Sequence, residues 1–297
     1  MKKQTDLAPE KRTPYPRLAP AKMLIKTDSE SMDFEPAVSP PASPTALVWS
    51  FAFAEGHLLL PDDEETLTPG PSIDAQVRHY LGRLGGLDAW ALQLKTVPHG
   101  WRMVPLRHAM MDLPAPHGGL AGRAAQVIEW DRAHRYCGVC GTPTERLEHE
   151  RARRCPACNH LAYPRLTPAM MVLIWRPGQV LLARSPRFAK GTYSALAGFV
   201  EAGETIEECV IREAHEEVGV RITDLRYYGS QSWPFPNSLM IAFTARWESG
   251  DIVPQPQEIE DAQWFPLDAL PGIPARFSIS GHLIRDTVAA LIEDSLP

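Results

Sequence analysis

Bulky apolar residues are sparse through residue 45 of this 297-residue chain and recur in patterned runs from residue 46 onward. The run "ALVWSFAFAEGHLLL" predicts a strand over 46–54, a turn at Glu55-Gly56 and a second strand over 57–60. "HYLGRLGGLDAWALQL" repeats the pattern, with Gly85-Gly86 as the turn. In "GLAGRAAQVIEWDRAHRY" the period changes: Leu120, Ala124, Val127 and Ile128 fall at helical spacing. "PAMMVLIWRPGQVLLARS" predicts a buried β-hairpin turning at Arg176-Pro177-Gly178. A helix is expected over "ETIEECVIREAHEEV", strands over "LRYYGSQSW" and "SLMIAFTARWES", and a closing helix from "ISGHLIRDTVAALIED". Together these predict an α+β protein in four segments. Residues 1–45 form a Pro-rich, disordered extension, and 46–118 a small β-rich domain with a helix or two. Residues 119–165 hold a helix and a cysteine cluster, and 166–297 a mixed α and β domain around one sheet.

Composition narrows the classes. Hydrophobic residues make up 44% and charged residues 22%, ordinary for a globular protein. The formal net charge of −6 gives no global basic field for bulk nucleic-acid binding, though it leaves room for a local patch. No apolar run approaches the length of a membrane span, so no membrane partner is expected. Lys2 and Lys3 are not followed by an apolar stretch of the secretory kind, and Ser295-Leu296-Pro297 is not a peroxisomal signal. The expected location is the cytoplasm. His57, His79, His99 and His108 are scattered through the β-rich domain and are expected as surface or core histidines.

Four of the five cysteines change the picture. They are spaced Cys137-x2-Cys140-x14-Cys155-x2-Cys158, with Gly138, Gly141, Pro156 and Asn159 at the knuckles. Two tight turns that offer four thiolates suit a tetrahedral Zn²⁺, and four protein ligands leave no open position for catalysis. The role expected of the zinc is structural, supplying folding energy to a segment with little core. Arg151, Arg153 and Arg154 lie between the knuckles and would suit a nucleic-acid reader. Cys209 stands alone and is expected to be an inert buried or helix-face thiol.

The segment Gly198 to Val220, "GFVEAGETIEECVIREAHEEVGV", carries the chemistry. It fits G-x5-E-x7-R-E-U-x-E-E-x-G-U without a gap, U being aliphatic or bulky. Glu213, Glu216 and Glu217 stand at i, i+3 and i+4 and so share one helix face. Three like charges there repel unless a cation sits among them, and Mg²⁺ or Mn²⁺ takes such oxygen ligands along with substrate phosphates. Gly198 and Gly203 let the preceding loop approach closely. Arg212 is expected to pair with Glu204 and hold that loop against the helix.

Downstream stands "SQSWPFPNS", Ser230 to Ser238. Pro234 and Pro236 each remove a backbone donor and do not suit a strand core, while Trp233 does not suit a disordered linker. The stretch is expected to be a stiff, shaped surface. Trp233 and Phe235 are either pocket walls or core residues, with Gln231 and Ser238 as candidate hydrogen-bonding groups.

Gly198–Val220 closely resembles the Nudix box. With the four-Cys ribbon before it and S-Q-P-W-P-F-P-x-S after it, the chain resembles the NADH pyrophosphatase branch of the Nudix hydrolases. The resemblance covers residues 120–270 well and the N-terminal domain loosely. The chain departs from the family at Ser232, where proline is usual; a looser substrate preference would follow.

The resemblance implies a Nudix α/β/α sandwich and Mg²⁺- or Mn²⁺-dependent hydrolysis of NADH or NAD⁺ to a nicotinamide mononucleotide and AMP. Removal of NAD caps from RNA 5′ ends is implied as well. It assigns Glu213, Glu216 and Glu217 to the catalytic metals, Glu217 being the most activity-sensitive, and gives Arg212 a supporting place. Glu258 is matched to a further metal or phosphate contact, with Glu260 as its rival. Tyr163 and Phe199 match positions that stack on a base or nicotinamide ring. Gln231, Trp233 and Ser238 would complete the dinucleotide pocket. The family resemblance also implies a homodimer in which residues near the ribbon complete the partner's pocket. The other readings are a Nudix hydrolase of a different nucleoside diphosphate, such as ADP-ribose, and a catalytically silent nucleotide- or RNA-binding module.

Overall fold

The protein is described from a computed structural model over residues 33–294. The disordered extension expected at 1–45 lies outside the described residues as far as 32. Beyond that point the expectation needs correcting, because Phe34–Pro36 forms strand β1 and pairs with a later strand. The described chain groups into two compact units: residues up to 169 with 230–240, and 170–229 with 241 onward.

The first unit is built on a six-stranded sheet. Its strands are β1, β2 (Val48–Ala54), β3 (His57–Pro61), β4 (Val77–Leu84), β5 (Leu87–Gln93) and β6 (Trp101–Val104). Their order is β1-β4-β5-β2-β3-β6, with β2 and β5 parallel and the other pairs antiparallel. Both expected hairpins are present, β2–β3 and β4–β5. Every residue of β2 is buried, which requires cover on both faces. One face packs Trp49, Phe51 and Phe53 with Leu120, Ala124 and Val127; the other packs Ala52 and Ala54 with Leu92 and Leu94. Helices α1 (Leu106–Asp112) and α2 (His117–Ala133) supply the helical cover.

The ribbon follows as three two-residue strands, β7 (Glu145–Arg146), β8 (Arg153–Arg154) and β9 (Leu161–Ala162), in that order. It has little core of its own and is fastened to α2 by charge. Asp131 on α2 is 3% exposed and receives Arg153 Nη1 at 2.6 Å, with His79 Nε2 at 3.4 Å. Burial alone would raise the Asp131 pKa, but His79 and Arg153 hold it at about 2. The same Arg153 donates to Thr144 Oγ1 at 2.7 Å and to the Thr144 carbonyl at 2.8 Å. Arg151 donates to the carbonyls of Tyr80 and Ala37 at 3.0 and 3.2 Å. Two of the three arginines expected to suit a nucleic acid are therefore committed inside the protein, while Arg154 is exposed.

The second unit carries β10 (Thr167–Arg176), β11 (Gln179–Arg184), β12 (Leu196–Phe199), β13 (Arg221–Trp233), β14 (Ser238–Ser249) and β15 (Asp261–Pro266). The sheet order is β13-β14-β10-β11-β15, and β12 pairs with β10. Alternate residues of β10 bury both faces. Met170, Val172 and Ile174 pack with Cys209, Val210, Ala214 and Val218 of α3 (Ile206–Val218), while Met171, Leu173 and Trp175 are buried on the other side. Helix α4 (Ile279–Glu293) is tied to β13 by Tyr228 Oη donating to Asp286 at 2.7 Å. The expected hairpin between β10 and β11, helix α3 and the closing helix are all present, Arg176 ending β10 and pairing with Gln179 so that the turn is Pro177-Gly178; β12 and β15 are short and carry no periodic pattern. Among the described residues no helix is long and apolar enough to cross a membrane.

Removing the Asp131 carboxylate should strand the largely buried Arg153. Asp131→Ala is expected to lose about 3–5 kcal/mol of stability, and Asp131→Asn less, in denaturant unfolding followed by tryptophan fluorescence.

Candidate active site

Helix α3 begins with a capping box. Thr205 Oγ1 accepts from the Glu208 backbone N–H at 3.2 Å, and the Glu208 carboxylate accepts from the Thr205 N–H at 2.8 Å. This fixes the helix start, and the start fixes which face each later glutamate occupies. The inner face carries Cys209, Val210, Glu213, Ala214, Glu217 and Val218, all buried. Glu213 is 8% exposed and Glu217 5%, whereas Glu216 lies on the exposed side. Cys209 is fully buried, and burial pushes its thiol up to about 12.

The glycine at the head of the motif has a steric reason. A Cβ on Gly198 would stand 2.0 Å from both Cδ and Oε1 of Glu213, so β12 approaches the carboxylate as only glycine allows. Arg212 holds the intervening loop, as expected, through a two-point pair with Glu204: Nε to Oε1 at 2.7 Å and Nη2 to Oε2 at 2.9 Å. That pair holds the Glu204 carboxyl down at about 2. Arg212 also donates to the Phe199 carbonyl at 3.0 Å, and its Nη1 stands 2.9 Å from both Glu213 and Glu216.

Two backbone bonds bring in the downstream segment. Val253 N–H donates to the Val218 carbonyl and Gln255 N–H to the Glu217 carbonyl, each at 2.9 Å. The turn closed by Glu258 N–H on the Gln255 carbonyl then delivers Glu258 to the end of α3. Carboxylate oxygens of Glu213, Glu217 and Glu258 lie within 4.8 Å of one another. Glu260, the rival, instead accepts from Arg184 Nη1 at 2.6 Å.

These three carboxylates fit a hard divalent cation. Glu217 Oε2 is buried with no hydrogen-bond partner, and Arg212 pairs with Glu213 of the three. Burial and the charges of Glu213 and Glu258 push the Glu217 carboxyl up to about 8; burial also raises Glu213, against the pull of Arg212. A cation among them would reverse both effects.

The four ribbon sulfurs also lie within 4.8 Å of one another. The knuckles repeat each other: Gly141 N–H donates to Cys137 O and Asn159 N–H to Cys155 O, both at 2.9 Å. Gly141 (φ 75°) and Asn159 (φ 58°) take the same left-handed conformation, which glycine and asparagine tolerate best. Cys137, Cys140, Cys155 and Cys158 thus offer the soft, closed tetrahedral donor set of a structural zinc.

The Ser230–Ser238 stretch falls in the first compact unit. Trp233 and Phe235 are half-buried and meet edge to face, with ring centroids 5.1 Å apart. Arg107 of α1 lies over both rings, 4.4 Å from the Phe235 centroid and 5.2 Å from that of Trp233. Pro234 is buried and reaches Gly122 of α2, where a Cβ would come within 3.1 Å of its Cγ. Ser232, where the family usually has proline, donates from Oγ to Gln126 Oε1 at 2.9 Å. A tether to α2 thus stands where a ring would have stiffened the chain. Gln231 is half-buried and Ser238 buried. Tyr163 and Phe199 are both exposed, and Tyr163 Oη donates to Glu150 at 2.8 Å. Arg107 and Gln126 carry no motif; only the proximity of α1 and α2 to this loop reveals them.

Three domain families match in succession: the NADH pyrophosphatase-like rudimentary NUDIX domain at residues 48–130, the NADH pyrophosphatase zinc ribbon domain at 132–163 and the NUDIX domain at 165–286. Over 252 residues the chain is 47% identical to a protein of Pseudomonas aeruginosa named NAD-capped RNA hydrolase NudC, covering 82% of this chain and 90% of the relative. The chain belongs to the NADH pyrophosphatase branch of the Nudix hydrolase family. Proteins of the same name from Deinococcus radiodurans and Chromobacterium violaceum are 47% and 56% identical, covering 87% and 61% of this chain and 93% and 69% of theirs. A solved Nudix hydrolase from Nitrosomonas europaea aligns with 54% of this chain and 91% of its own at a TM-score of 0.44 and 22% identity. Membership of this Nudix branch implies a divalent metal for the carboxylates and a structural zinc for the ribbon. It also identifies the N-terminal sheet as a rudimentary Nudix domain, which its sequence, lacking the box glutamates, did not disclose.

The raised Glu217 pKa sets a pH dependence. Its carboxyl binds a proton better folded, at about 8, than at its ordinary 4.5. That contribution to stability is complete below about 4.5 and is lost as pH rises through about 8. In buffer free of Mg²⁺ and Mn²⁺, melting temperature should therefore fall between pH 5.5 and 8.5 more steeply in the wild type than in Glu217→Gln. Added Mn²⁺ should reverse the fall in the wild type alone.

Proposed function

We propose that this Nudix protein hydrolyses the pyrophosphate of NADH and NAD⁺ to a nicotinamide mononucleotide and AMP, and that it removes NAD caps from RNA 5′ ends. The observation that carries the reading is the trio Glu213, Glu217 and Glu258 at the end of a complete Nudix box, with Glu217 Oε2 unpaired. The "SQSWPFPNS" motif and the relatives named NAD-capped RNA hydrolase support the choice of substrate.

Glu213, Glu217 and Glu258 would hold Mg²⁺ or Mn²⁺, with Glu216 at the exposed margin beside Arg212. Bound there, such a cation polarises phosphoryl oxygens, offsets their charge and lowers the pKa of the attacking water. Water forms a new P–O bond at one phosphorus while the bridging oxygen leaves with the other phosphate. Arg212 keeps the Gly198–Glu204 loop closed on Glu213, so the carboxylates are ordered before substrate arrives. The exposed rings of Tyr163 and Phe199 are available to stack on flat heterocycles. Trp233, braced by Phe235, Pro234 and Arg107, forms a stiff wall, with Gln231 and Ser238 offering hydrogen bonds. The motif favours a dinucleotide over ADP-ribose, and no box glutamate is missing as a silent module would require.

The protein is further proposed to be a cytoplasmic homodimer. The four metal-binding thiols suit a reducing compartment. Tyr136, Val139, Leu161 and Leu166 expose apolar surface around the ribbon, which suits a self-contact. Sedimentation equilibrium should give twice the chain mass, and Val139→Asp with Leu166→Asp should shift it toward the monomer; a monomeric wild type rejects the dimer.

Turnover of NADH, NAD⁺, ADP-ribose and an NAD-capped oligonucleotide with Mn²⁺ or Mg²⁺ tests the activity. NADH should yield AMP and the reduced mononucleotide, and Glu217→Gln should lower kcat by at least about 100-fold. ADP-ribose turnover exceeding both NADH and NAD⁺, or a fully active Glu217→Gln, would reject the assignment.

A further inference from the structure

The rudimentary Nudix domain holds a cavity of about 770 Å³, within the roughly 300–1,000 Å³ usual for small-molecule sites. Its walls come from the β2–β3 turn, the adjoining ends of β4 and β5, the start of α1, one side of α2 and Pro234–Pro236. All belong to the first compact unit, and none of Glu213, Glu217 and Glu258 lines it.

Its chemistry is uneven in a telling way. Val77, Leu106, Ile128 and Phe235 make apolar wall suited to a flat ring. Most lining charges are already spent within the protein. Arg132 is bound at two points by Glu129, at 2.7 and 2.6 Å. Asp131 is occupied by Arg153, with Arg135 at 3.6 Å. Two charges remain. Arg107 is exposed, lies over the Phe235 and Trp233 rings, and makes no ion pair or hydrogen bond among the described residues. Glu55, on the opposite turn, has no cationic partner there either.

An arginine braced on aromatic faces, with its N–H groups uncommitted, suits a phosphate. A lone carboxylate accepts hydrogen bonds from hydroxyl or amino groups. We infer that the cavity binds one nucleoside monophosphate unit, its phosphate on Arg107, its ring against Leu106, Ile128 and Val77, and its ribose hydroxyls or amino group toward Glu55. The unit has two possible sources, free AMP or a nucleotide of an RNA strand. None of the three carboxylates lines the cavity, and the inference does not depend on that activity. Because Phe235 and two prolines of the "SQSWPFPNS" loop form part of its wall, occupancy bears directly on that loop.

Equilibrium dialysis of the full chain against labelled AMP, and separately against a 5′-phosphorylated triribonucleotide, tests this without turnover. Arg107→Gln, and Ala125→Phe at an α2 residue that lines the cavity, should each weaken binding at least about tenfold, with folding checked by melting temperature. Phe199→Ala, which alters the proposed catalytic pocket, should leave this binding in place. Binding of AMP that meets these conditions identifies the free mononucleotide as a source, and binding of the triribonucleotide alone identifies RNA. If neither ligand binds, if both cavity variants bind as the wild type does, or if Phe199→Ala alone abolishes binding, the inference is overturned. Failure to cleave NADH would leave this outcome untouched.

Discussion

Glu213, Glu217 and Glu258 repel one another, and burial removes the water that would screen the first two. Bringing their oxygens within 4.8 Å is costly, and a divalent cation held there would turn that cost into affinity. Much of the second unit serves this arrangement. Gly198 has no side chain because the Glu213 carboxylate occupies the space. Arg212 bridges the loop and the helix and pairs with Glu213, so one guanidinium steadies the site. The last carbonyls of α3 receive the segment that carries Glu258. Each of these is a local bond whose purpose becomes clear only at the carboxylates.

The first unit follows a different logic. Its ribbon is too small to hold itself and relies on a metal for its interior and on buried charge for its attachment. Asp131 gathers His79 and Arg153 on one carboxylate, and Arg151 caps carbonyls of the sheet side. Two of the three arginines expected to suit a nucleic acid, Arg151 and Arg153, are spent on this attachment. The two N–H···O turns of the ribbon are the same motif used twice, and the left-handed residue after each second cysteine differs only because asparagine can do what glycine does.

The rigid stretch around Trp233 links these themes. Prolines limit its unfolded freedom, an edge-to-face pair stiffens its rings, and Arg107, Gly122 and Gln126 anchor it to α1 and α2. The rudimentary Nudix domain therefore has a mechanical part to play: it braces the Ser230–Ser238 loop. Ser232 shows how the departure from the family is absorbed, with a hydrogen bond to Gln126 in place of a ring.

Local spacing made much of this legible in advance. CxxC pairs and the helical register of Glu213, Glu216 and Glu217 follow from short-range covalent geometry, which the sequence alone determines, and the Arg212–Glu204 pair closes within the same short motif. Hairpin turns at Glu55-Gly56 and Gly85-Gly86 were readable for the same reason. Tertiary structure decided what depends on segments far apart in the chain. It buried Glu213 and Glu217 while leaving Glu216 outside, and it set Glu258 rather than Glu260 beside them, because Arg184 was close enough to take Glu260. It turned Arg151 and Arg153 inward and put Arg107 over Phe235. Such long-range meetings follow from how the sheets and helices pack, and no window of sequence contains both partners.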